Sequence, residues 1–419
     1  METAVEEPHE ENRARGSAFP DEILPDYKDY IQFPISILFL TLLYCGEAAS
    51  ALYLFDVYRK NNDIFWMSFT IGFLLVGVVL DQAILLLFQK DLSRHKFLFA
   101  GHILLLGPVV RCLYAMFTHY RALKRLDMLR KATPLSTRKR RMLMEREIIH
   151  SIHGAYMQCK AFNYMSIAQA FLSSIPQLTL QLYVTLTIRE WPLKREMLMA
   201  FSLISVTYGA FHCNILALQI KNDDTDIKLH LVELICILIW RCLEITTRVV
   251  ILVLFIGSLK LKSMPFIIAS FSISLLIPWV EFLIKGAHLP KNINQVVSQT
   301  GRILILIMIT VLNAAINLFC WSGMNLQLSS EELIDKKHTA SHRILHYGIR
   351  LIENVMMVLM FKFSGERSLV NCCDSLIATH LITAYLLSMG FMLLFYHYLY
   401  PGWAGDSTPE EIEMRPEPI

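Results

Sequence analysis

The chain has 419 residues, of which 54% are hydrophobic and 18% are charged, and its formal net charge is +3. Soluble globular proteins contain about 25% charged residues, whereas the mean hydropathy of this chain is +0.44. The composition therefore excludes a soluble globular protein and predicts a polytopic integral membrane protein, and its helix-length apolar runs make the predicted fold all-α.

Apolar runs of about 20 residues are typical of membrane-spanning helices. Eight such runs are predicted to be complete spans: residues 34–58, 64–88, 164–188, 197–219, 232–258, 303–325, 344–363 and 375–398. Residues 31–398 accordingly form the predicted membrane domain. Residues 1–30 are polar and acidic, and together with residues 399–419 they are predicted to be cytosolic tails.

The first two spans carry acidic side chains inside apolar sequence. Glu47 lies at the centre of the first span, Asp56 lies near its far end, and Asp81 lies in the later half of the second span. The short connection between the two spans predicts an antiparallel helix pair.

The apolar run at residues 97–117 is predicted to enter and leave the membrane on the same side. Gly107 and Pro108 interrupt it, and basic residues flank both of its ends, which places both ends in the cytosol by the positive-inside rule. A hairpin of this kind is stable at membrane depth only against protein or water. The alternative is a complete span with one loop on the unexpected side.

The loop at residues 119–163 contains the strongest charge run, with ten Lys or Arg in residues 121–148. Clusters of this kind remain in the cytosol, which places both chain termini there as well. The loop either contacts anionic lipid head groups or an acidic partner, or it serves only to fix the topology. It has no interleaved aromatic residues and no nucleic-acid motif, so no nucleic-acid partner is predicted.

The span at residues 164–188 has a polar stripe around Pro176. Its polar side chains recur at every fourth position: Gln169, Ser173, Gln177 and Gln181. Such groups either hydrogen-bond to neighbouring helices or line a polar path through the membrane, and the length of the stripe favours a path.

The span at residues 232–258 carries Arg241, Glu244 and Arg248 near its middle, within roughly 60° of one another on a helix. A charge at the bilayer centre costs about 2.5 to 3.5 kcal/mol, so this stripe must face protein, water or a polar ligand. It either forms an ion-pair seam that holds a helix bundle together or lines a polar path.

The next run, residues 265–284, is predicted to be a second re-entrant segment. Pro278 is expected to break its helix, and Glu281 disfavours a full crossing. The span at residues 344–363 then places Arg350 and Glu353 on one face. Six isolated midplane charges would cost about 15 to 20 kcal/mol, so we expect the acids and arginines of these spans to pair.

Sequence motifs for chemistry are absent. The chain has no nucleotide-binding GxxxxGK[ST], no HExxH and no GxSxG, which predicts neither an enzyme nor an ATP-driven pump. His338, His342 and His346 share i+4 spacing, but no acid or cysteine completes a metal set, and no cofactor is predicted. The adjacent Cys372 and Cys373 lie in a polar connection, where an intermolecular disulfide is one alternative.

Nine segments together resemble the XK and XK-related membrane proteins over about residues 30 to 400. They are LYCGEAASALYLFDVYRK, LLLGPVVRC, QAFLSSIPQLTLQLY, SVTYGAFHCNILALQIK, WRCLEITTRVV, IPWVEF, AAINLFCWS, RLIENVMMVL and GFMLLFYHYLYP. The resemblance implies an all-helical fold with eight transmembrane helices and two re-entrant hairpins in two related halves. For several members of that family it also implies phospholipid scrambling without ATP.

The resemblance further implies site residues and partners. The charged intramembrane positions of the family correspond to Glu47, Asp56, Asp81, Arg241, Glu244, Arg248, Arg350 and Glu353. A bridge-like lipid-transfer protein would bind at residues 131–142, from Lys131 to Met142, and Cys373 corresponds to a loop cysteine in a member that joins a cell-surface complex. The tail GDSTPEEIEMRPEPI lacks the DxxD caspase site of the apoptotic scramblases.

Three functions follow as hypotheses for this membrane protein, which is predicted to lie in the plasma membrane. It is a phospholipid scramblase with a polar furrow open to lipid, a membrane adapter for a lipid-transfer or surface partner subunit, or a small-solute transporter. For a scramblase, the predicted route follows the two polar stripes. Arg241 and Arg248 would bind the phosphate of the head group, and Glu244 and Glu47 would bind its ammonium.

Overall fold

The computed structural model describes residues 35–88, 101, 106–131, 138–188, 192–221, 229–285, 299–326, 328, 334–335, 339–363 and 374–400. Nearly all of these residues are helical, which confirms the all-α class. The described exception is a short antiparallel pair, in which β1 (Asn325–Leu326) lies beside β2 (Ile334–Asp335).

The α-helices follow one another in chain order, with short π and 3-10 turns joining some of them. They are α1 (Ile35–Lys60), α2 (Ile64–Phe88), α3 (Gly107–Lys131), α4 (Arg138–Gln169), α5 (Ile175–Ile188), α6 (Leu193–Lys221), α7 (Leu231–Leu259), α8 (Met264–Lys285), α9 (Gln299–Phe319), α10 (Thr339–Phe363) and α11 (Asp374–Leu394). A π-helical turn, Ala170–Ser174, joins α4 to α5. The 3-10 turn Lys260–Ser263 joins α7 to α8.

Six helical stretches of the described residues are long and apolar enough to cross a membrane. They are Ile35–Lys60, Ile64–Leu85, Leu193–Lys221, Leu231–Ile284, Ser341–Phe363 and Leu376–Leu399. Leu231–Ile284 contains both α7 and α8. The predicted span at residues 164–188 is not among them because its glutamines and serines lower its hydropathy, and the apolar part of α9, Ile305–Phe319, is shorter.

The chain forms two compact units. The first comprises Met1–Ile35 and Leu113–Cys159, and the second comprises Ser36–Cys112 and Lys160–Ile419. In the first unit, the guanidinium of Arg121 lies over the ring of Phe117, 4.4 Å from its centroid. All of the site geometry below lies within the second unit.

Helix α7 is at the centre of the second unit, where it packs against α5, α6, α9, α10 and α11. One part of its surface joins an apolar core with the π-helical turn and α6, through Ile245, Val249 and Val253. Another part places Trp240 in an aromatic cluster with Tyr347 and Phe395. The face of α7 that carries Arg241, Glu244 and Arg248 packs against these helices, so its charged stripe is enclosed.

The π-helical turn adds one residue to a helical turn just before Pro176. The Ile175 N–H donates to the carbonyl of Ala170, five residues earlier, while Pro176 has no N–H to donate and its ring would crowd the preceding turn. Turns of this kind are frequent at functional sites. Here the turn brings Ser173 against α2, where its Oγ donates to the Phe73 carbonyl at 2.9 Å.

Two predictions for the interrupted segments have different outcomes. The break expected at Pro278 is wrong, because α8 continues from Met264 to Lys285 with Pro278 inside it. About 33 Å of helix follows from its length at 1.5 Å per residue. For the run at residues 97–117, residues 97–100 and 102–105 lie outside the described part, and α3 begins at Gly107, where the interruption was expected.

Helix α9 is shorter than expected at its C-terminal end. It stops at Phe319 rather than near residue 325. The Asn317 side chain accepts the Ser322 backbone N–H at 3.2 Å, and Gly323 takes a positive φ of 74° that favours glycine. The chain therefore turns before β1, and the turn residues Trp321 to Met324 face the neighbouring helices rather than extending the span.

Candidate functional site

The N-terminal part of the α7 stripe, Arg241 and Glu244, is an enclosed ion pair. Arg241 Nη1 donates to Glu244 Oε2 at 2.9 Å, and these two residues are only 0% and 2% exposed. Arg241 Nη2 also donates to Asn214 Oδ1 on α6 at 2.9 Å, and Glu244 Oε1 accepts the Trp321 backbone N–H at 3.2 Å. The pair on α7 is thus held by groups from two other parts of the chain, α6 and the turn after α9.

The C-terminal part of the stripe, Arg248, contacts α10. Arg248 Nη2 donates to Glu353 Oε2 at 2.7 Å, and Arg350 makes a short ion pair with the same carboxylate oxygen. Arg248 is also held by the Leu318 carbonyl, which accepts from its Nε at 3.1 Å, and by the amide oxygen of Asn354. One glutamate therefore serves two arginines.

These contacts confirm the expected pairing of acids with arginines for two of the acids, Glu244 and Glu353. Glu47 is the exception, because its described partners are uncharged. Its carboxylate accepts from Gln169 Nε2 at 2.9 Å, Ser202 Oγ at 2.8 Å and Ser205 Oγ at 3.2 Å. A buried carboxylate with several donors is stabilised without a cation beside it.

The polar stripe of the π-helical turn and α5 contacts α1 and α2. Gln181 accepts from the Tyr58 hydroxyl at 2.8 Å and donates from its Nε2 to Thr70 Oγ1 at 3.2 Å. Gln177 differs, because neither of its amide atoms has a hydrogen-bond partner among the described residues. Most of this stripe therefore joins helices to one another, as one of the two sequence-based interpretations allows.

A larger polar cavity lies between α8, α9 and α10. Its volume is about 460 Å³, and Arg350, Glu353, Ser270 and Asn313 are among the residues that line it. Four apolar residues that are more than 45% exposed also line it: Ile273, Ile277, Leu345 and Ile349. In a membrane helix such exposed apolar side chains face the lipid hydrocarbon, so this cavity combines a charged interior with an apolar rim.

Several predicted residues do not belong to these clusters. Asp56 lies at the exposed end of α1, where it pairs with Arg59 at 2.7 Å and Lys60 at 2.6 Å. Cys373 and His338 lie outside the described residues, as do the side chains of residues 131–142. No group of three or more His, Cys, Asp or Glu in the described part of the chain is arranged to hold a metal ion.

Sequence reasoning missed the neutral partners. Asn214, Ser202 and Ser205 sit inside the apolar helix α6, and Tyr347 on α10 accepts from the Trp240 indole N–H at 2.9 Å. A single amide within a span is a usable signal, since unpaired amides are costly in hydrocarbon. Its partner, however, depends on how the helices pack.

Comparison with known proteins identifies the relatives of this chain. The family profile described as XK-related protein matches residues 35–401. The chain belongs to the XK-related family.

Curated members of the XK-related family match most of the chain. The protein named "Endoplasmic reticulum membrane adapter protein XK" from Mus musculus is 35% identical over 379 residues, covering 88% of this chain and 84% of that protein. Its Pan troglodytes counterpart is 34% identical with the same coverage. "Testis-specific XK-related protein, Y-linked" from Homo sapiens is 41% identical over 138 residues, which is 32% of this chain and 83% of that protein.

These matches confirm the resemblance found in the sequence and support an integral membrane protein. These relatives are named as a membrane adapter and as an XK-related protein.

Proposed function

We propose that this XK-related protein moves phospholipid between bilayer leaflets without ATP. The observation that carries the proposal is the cavity between α8, α9 and α10, which has charged and amide groups inside and exposed isoleucines and leucine at its rim. Such a cavity would receive a polar head group while the acyl chains remain in the hydrocarbon. A volume of about 460 Å³ is in the range of small-molecule sites.

The charged groups in the cavity suit a zwitterionic head group. Arg350 would donate to the phosphate, because charge-assisted hydrogen bonds to guanidinium are among the strong ones. Glu353 would attract the ammonium group. Its ion pair with Arg248, at 2.7 Å, would still balance its negative charge when Arg350 binds the phosphate. The α7 stripe would then act through Arg248, and the enclosed Arg241 and Glu244 would hold the bundle.

The remaining parts of the predicted route and topology accompany this proposal. Gln169, Ser173, Gln177 and Gln181 would supply hydration-like contacts if α5 separates from α1 and α2. The proposed topology has eight complete spans in two related halves, a hairpin at residues 97–117 and cytosolic termini. In this topology the basic loop lies in the cytosol. The plasma membrane is the proposed location, and imaging of tagged protein against endoplasmic reticulum and surface markers would decide it.

The test is scrambling by purified protein in liposomes that contain a fluorescent phospholipid. Asn313→Leu makes the cavity less polar without removing a described hydrogen bond or ion pair, so we expect it to slow scrambling severalfold. The matched control is Ile307→Leu, which alters an exposed apolar residue of the same helix away from the cavity and should scramble as the parent does. Equal rates for the parent and Asn313→Leu would place the route elsewhere.

A membrane adapter is the second candidate, favoured by the name of the relatives that are about 35% identical to this chain. In this case the basic residues of the loop from Lys131 to Met142 would bind a bridge-like lipid-transfer protein. A parent protein that never scrambles, together with partner recruitment that is lost when the five Lys and Arg of this loop become Ala, would favour the adapter.

A further inference from the structure

A second, much smaller cavity lies between α1, α2, the π-helical turn and α5. Its volume is about 20 Å³, and Glu47, Asp81, Ser173 and Gln177 are among the residues that line it. A cavity of this size holds one water-sized body. It is therefore large enough for a single dehydrated ion and too small for a hydrated one.

Two side chains that line this cavity lack the hydrogen bonds that buried polar groups normally have. Asp81 is 0% exposed, and neither of its carboxylate oxygens has a hydrogen-bond partner among the described residues. Gln177 is 4% exposed, and its amide oxygen and nitrogen also have none. Unsatisfied groups of this kind are few in native proteins, and each one needs a physical explanation.

The charged and polar groups of the cavity indicate which kind of ligand it would bind. Glu47 already accepts three hydrogen bonds, from Gln169, Ser202 and Ser205. No Lys, Arg or His is among the described residues that line the cavity. The two acids therefore differ in solvation: three neutral donors solvate the Glu47 carboxylate, whereas neither carboxylate oxygen of Asp81 has a described donor, and an isolated charge at membrane depth is costly.

We propose that this cavity binds one Na⁺ ion, held by the carboxylate of Asp81 and the amide oxygen of Gln177, with Glu47 and Ser173 as further oxygen ligands. An all-oxygen set of acid, amide and hydroxyl suits a hard cation rather than a transition metal. A monovalent ion is proposed because, of the two acids that line the cavity, Asp81 is the one whose oxygens have no described hydrogen-bond donor. Mg²⁺ is disfavoured because it gives up its water shell reluctantly.

The proposed ion would join α1 and α2 to the π-helical turn and α5. The π-helical turn contributes Ser173 to the cavity, beside Glu47 of α1 and Asp81 of α2. The proposal does not depend on lipid movement, because its readouts are ion binding and thermal unfolding.

The test uses the purified full-length protein in detergent at constant ionic strength, with choline replaced by Na⁺, K⁺ or Ca²⁺. Na⁺ should raise the unfolding temperature of the parent by about 3 °C or more at saturation, and K⁺ should raise it less. Radiolabelled Na⁺ should bind at about one ion per chain by equilibrium dialysis, in keeping with a single small cavity.

Asp81→Asn is the central variant, because it removes the uncompensated charge with little change of shape. It should lose Na⁺ binding and the thermal response, yet in choline it should be at least as stable as the parent. Gln177→Leu should weaken Na⁺ binding by about tenfold or more. The matched control is Asp56→Asn, which removes an exposed acid of α1 and should respond to Na⁺ as the parent does.

Three outcomes would overturn the proposal. A parent that binds no Na⁺ and unfolds at the same temperature in Na⁺ and choline would show a protonated Asp81 or a bound water instead. A response to Ca²⁺ but not to Na⁺ that is lost in Asp81→Asn would exclude the monovalent assignment. A Na⁺ response that persists in Asp81→Asn would place the ion elsewhere.

Discussion

At the scale of single residues, acids in the apolar part of the sequence have three different surroundings. Glu244 is enclosed with Arg241, Asp56 is exposed beside Arg59 and Lys60, and Asp81 is enclosed without a described partner. The sequence places all three in or near apolar runs and predicts that they contribute to the structure or the function of the protein. Their surroundings depend on which helices meet, and spacing along one helix does not determine that.

Glu244→Gln tests the enclosed pair. It preserves the side-chain shape but leaves the Arg241 guanidinium buried without its carboxylate, and breaking a buried ion pair costs about 3 to 5 kcal/mol. We expect a clear fall in the temperature at which the detergent-purified protein loses its monodisperse size-exclusion peak.

The control for this prediction is Asp56→Asn, whose ion pairs are exposed to solvent and should leave that temperature unchanged. The double variant Arg241→Gln with Glu244→Gln should recover part of the loss, because neither partner is left charged. Equal stability of Glu244→Gln and the parent would contradict a structural role for this pair.

The glutamine stripe shows why function is hard to test from spacing alone. Gln177 and Gln181 look equivalent in sequence, yet Gln181 bonds to Tyr58 and Thr70 whereas Gln177 has no described partner. Replacing both by Leu would strand two buried hydroxyl groups on α1 and α2. A loss of function in that double variant would therefore mix a lost path with lost packing, and Gln177→Leu alone is the cleaner variant.

At the scale of elements, the helices followed from the length of the apolar runs, whereas the interruptions did not follow from the prolines alone. Pro176 lies next to a π-helical turn, while Pro278 lies inside an unbroken helix. A proline removes one hydrogen bond in either case, and the neighbouring helices decide whether the chain adds a residue or continues. For Pro176, the π-helical turn contacts α2 through Ser173 and the Phe73 carbonyl, and the sequence of α5 alone does not predict this contact.

Gly77→Ala tests the contact between α2 and the π-helical turn. A Cβ at Gly77 would overlap Ser173 Oγ and would lie 2.8 Å from Ser173 Cβ. Overpacking of this kind costs about 1 to 3 kcal/mol, so we expect a lower unfolding temperature in detergent.

Gly72 on the same helix provides the control, because a Cβ there meets nothing within 4 Å. Gly72→Ala should stabilise the protein slightly, by about 0.5 to 1 kcal/mol, since alanine loses less conformational freedom in a helix than glycine does. Identical effects of the two substitutions would mean that α2 does not approach the π-helical turn this closely.

At the scale of the whole molecule, the sequence identified the central helix but not the cavity. The three charges near the middle of α7 are sufficient to predict that this stripe faces protein, water or a polar ligand, since lipid would not accept them. The cavity between α8, α9 and α10 combines Arg350 and Glu353 with residues such as Ser270 and Asn313, which lie far apart in sequence. Each of these residues is unremarkable alone, so only the packing of three helices brings the set together.

Topology is the property of the whole molecule that the positive-inside rule predicts most directly. If residues 97–117 form a hairpin, both of its flanks are cytosolic, and single cysteines at Gln89 and His119 should be labelled by impermeant maleimide only from the inside. Cys112 and Cys213 are buried, but Cys45 is exposed, so the background replaces the accessible native cysteines by Ser. Asn61→Cys, in the tight connection between α1 and α2, is the control and should be labelled only from the outside, since α1 starts in the cytosol. Labelling of His119→Cys from the outside, with Gln89→Cys still inside, would make residues 97–117 a complete span and reverse the orientation of every helix after it.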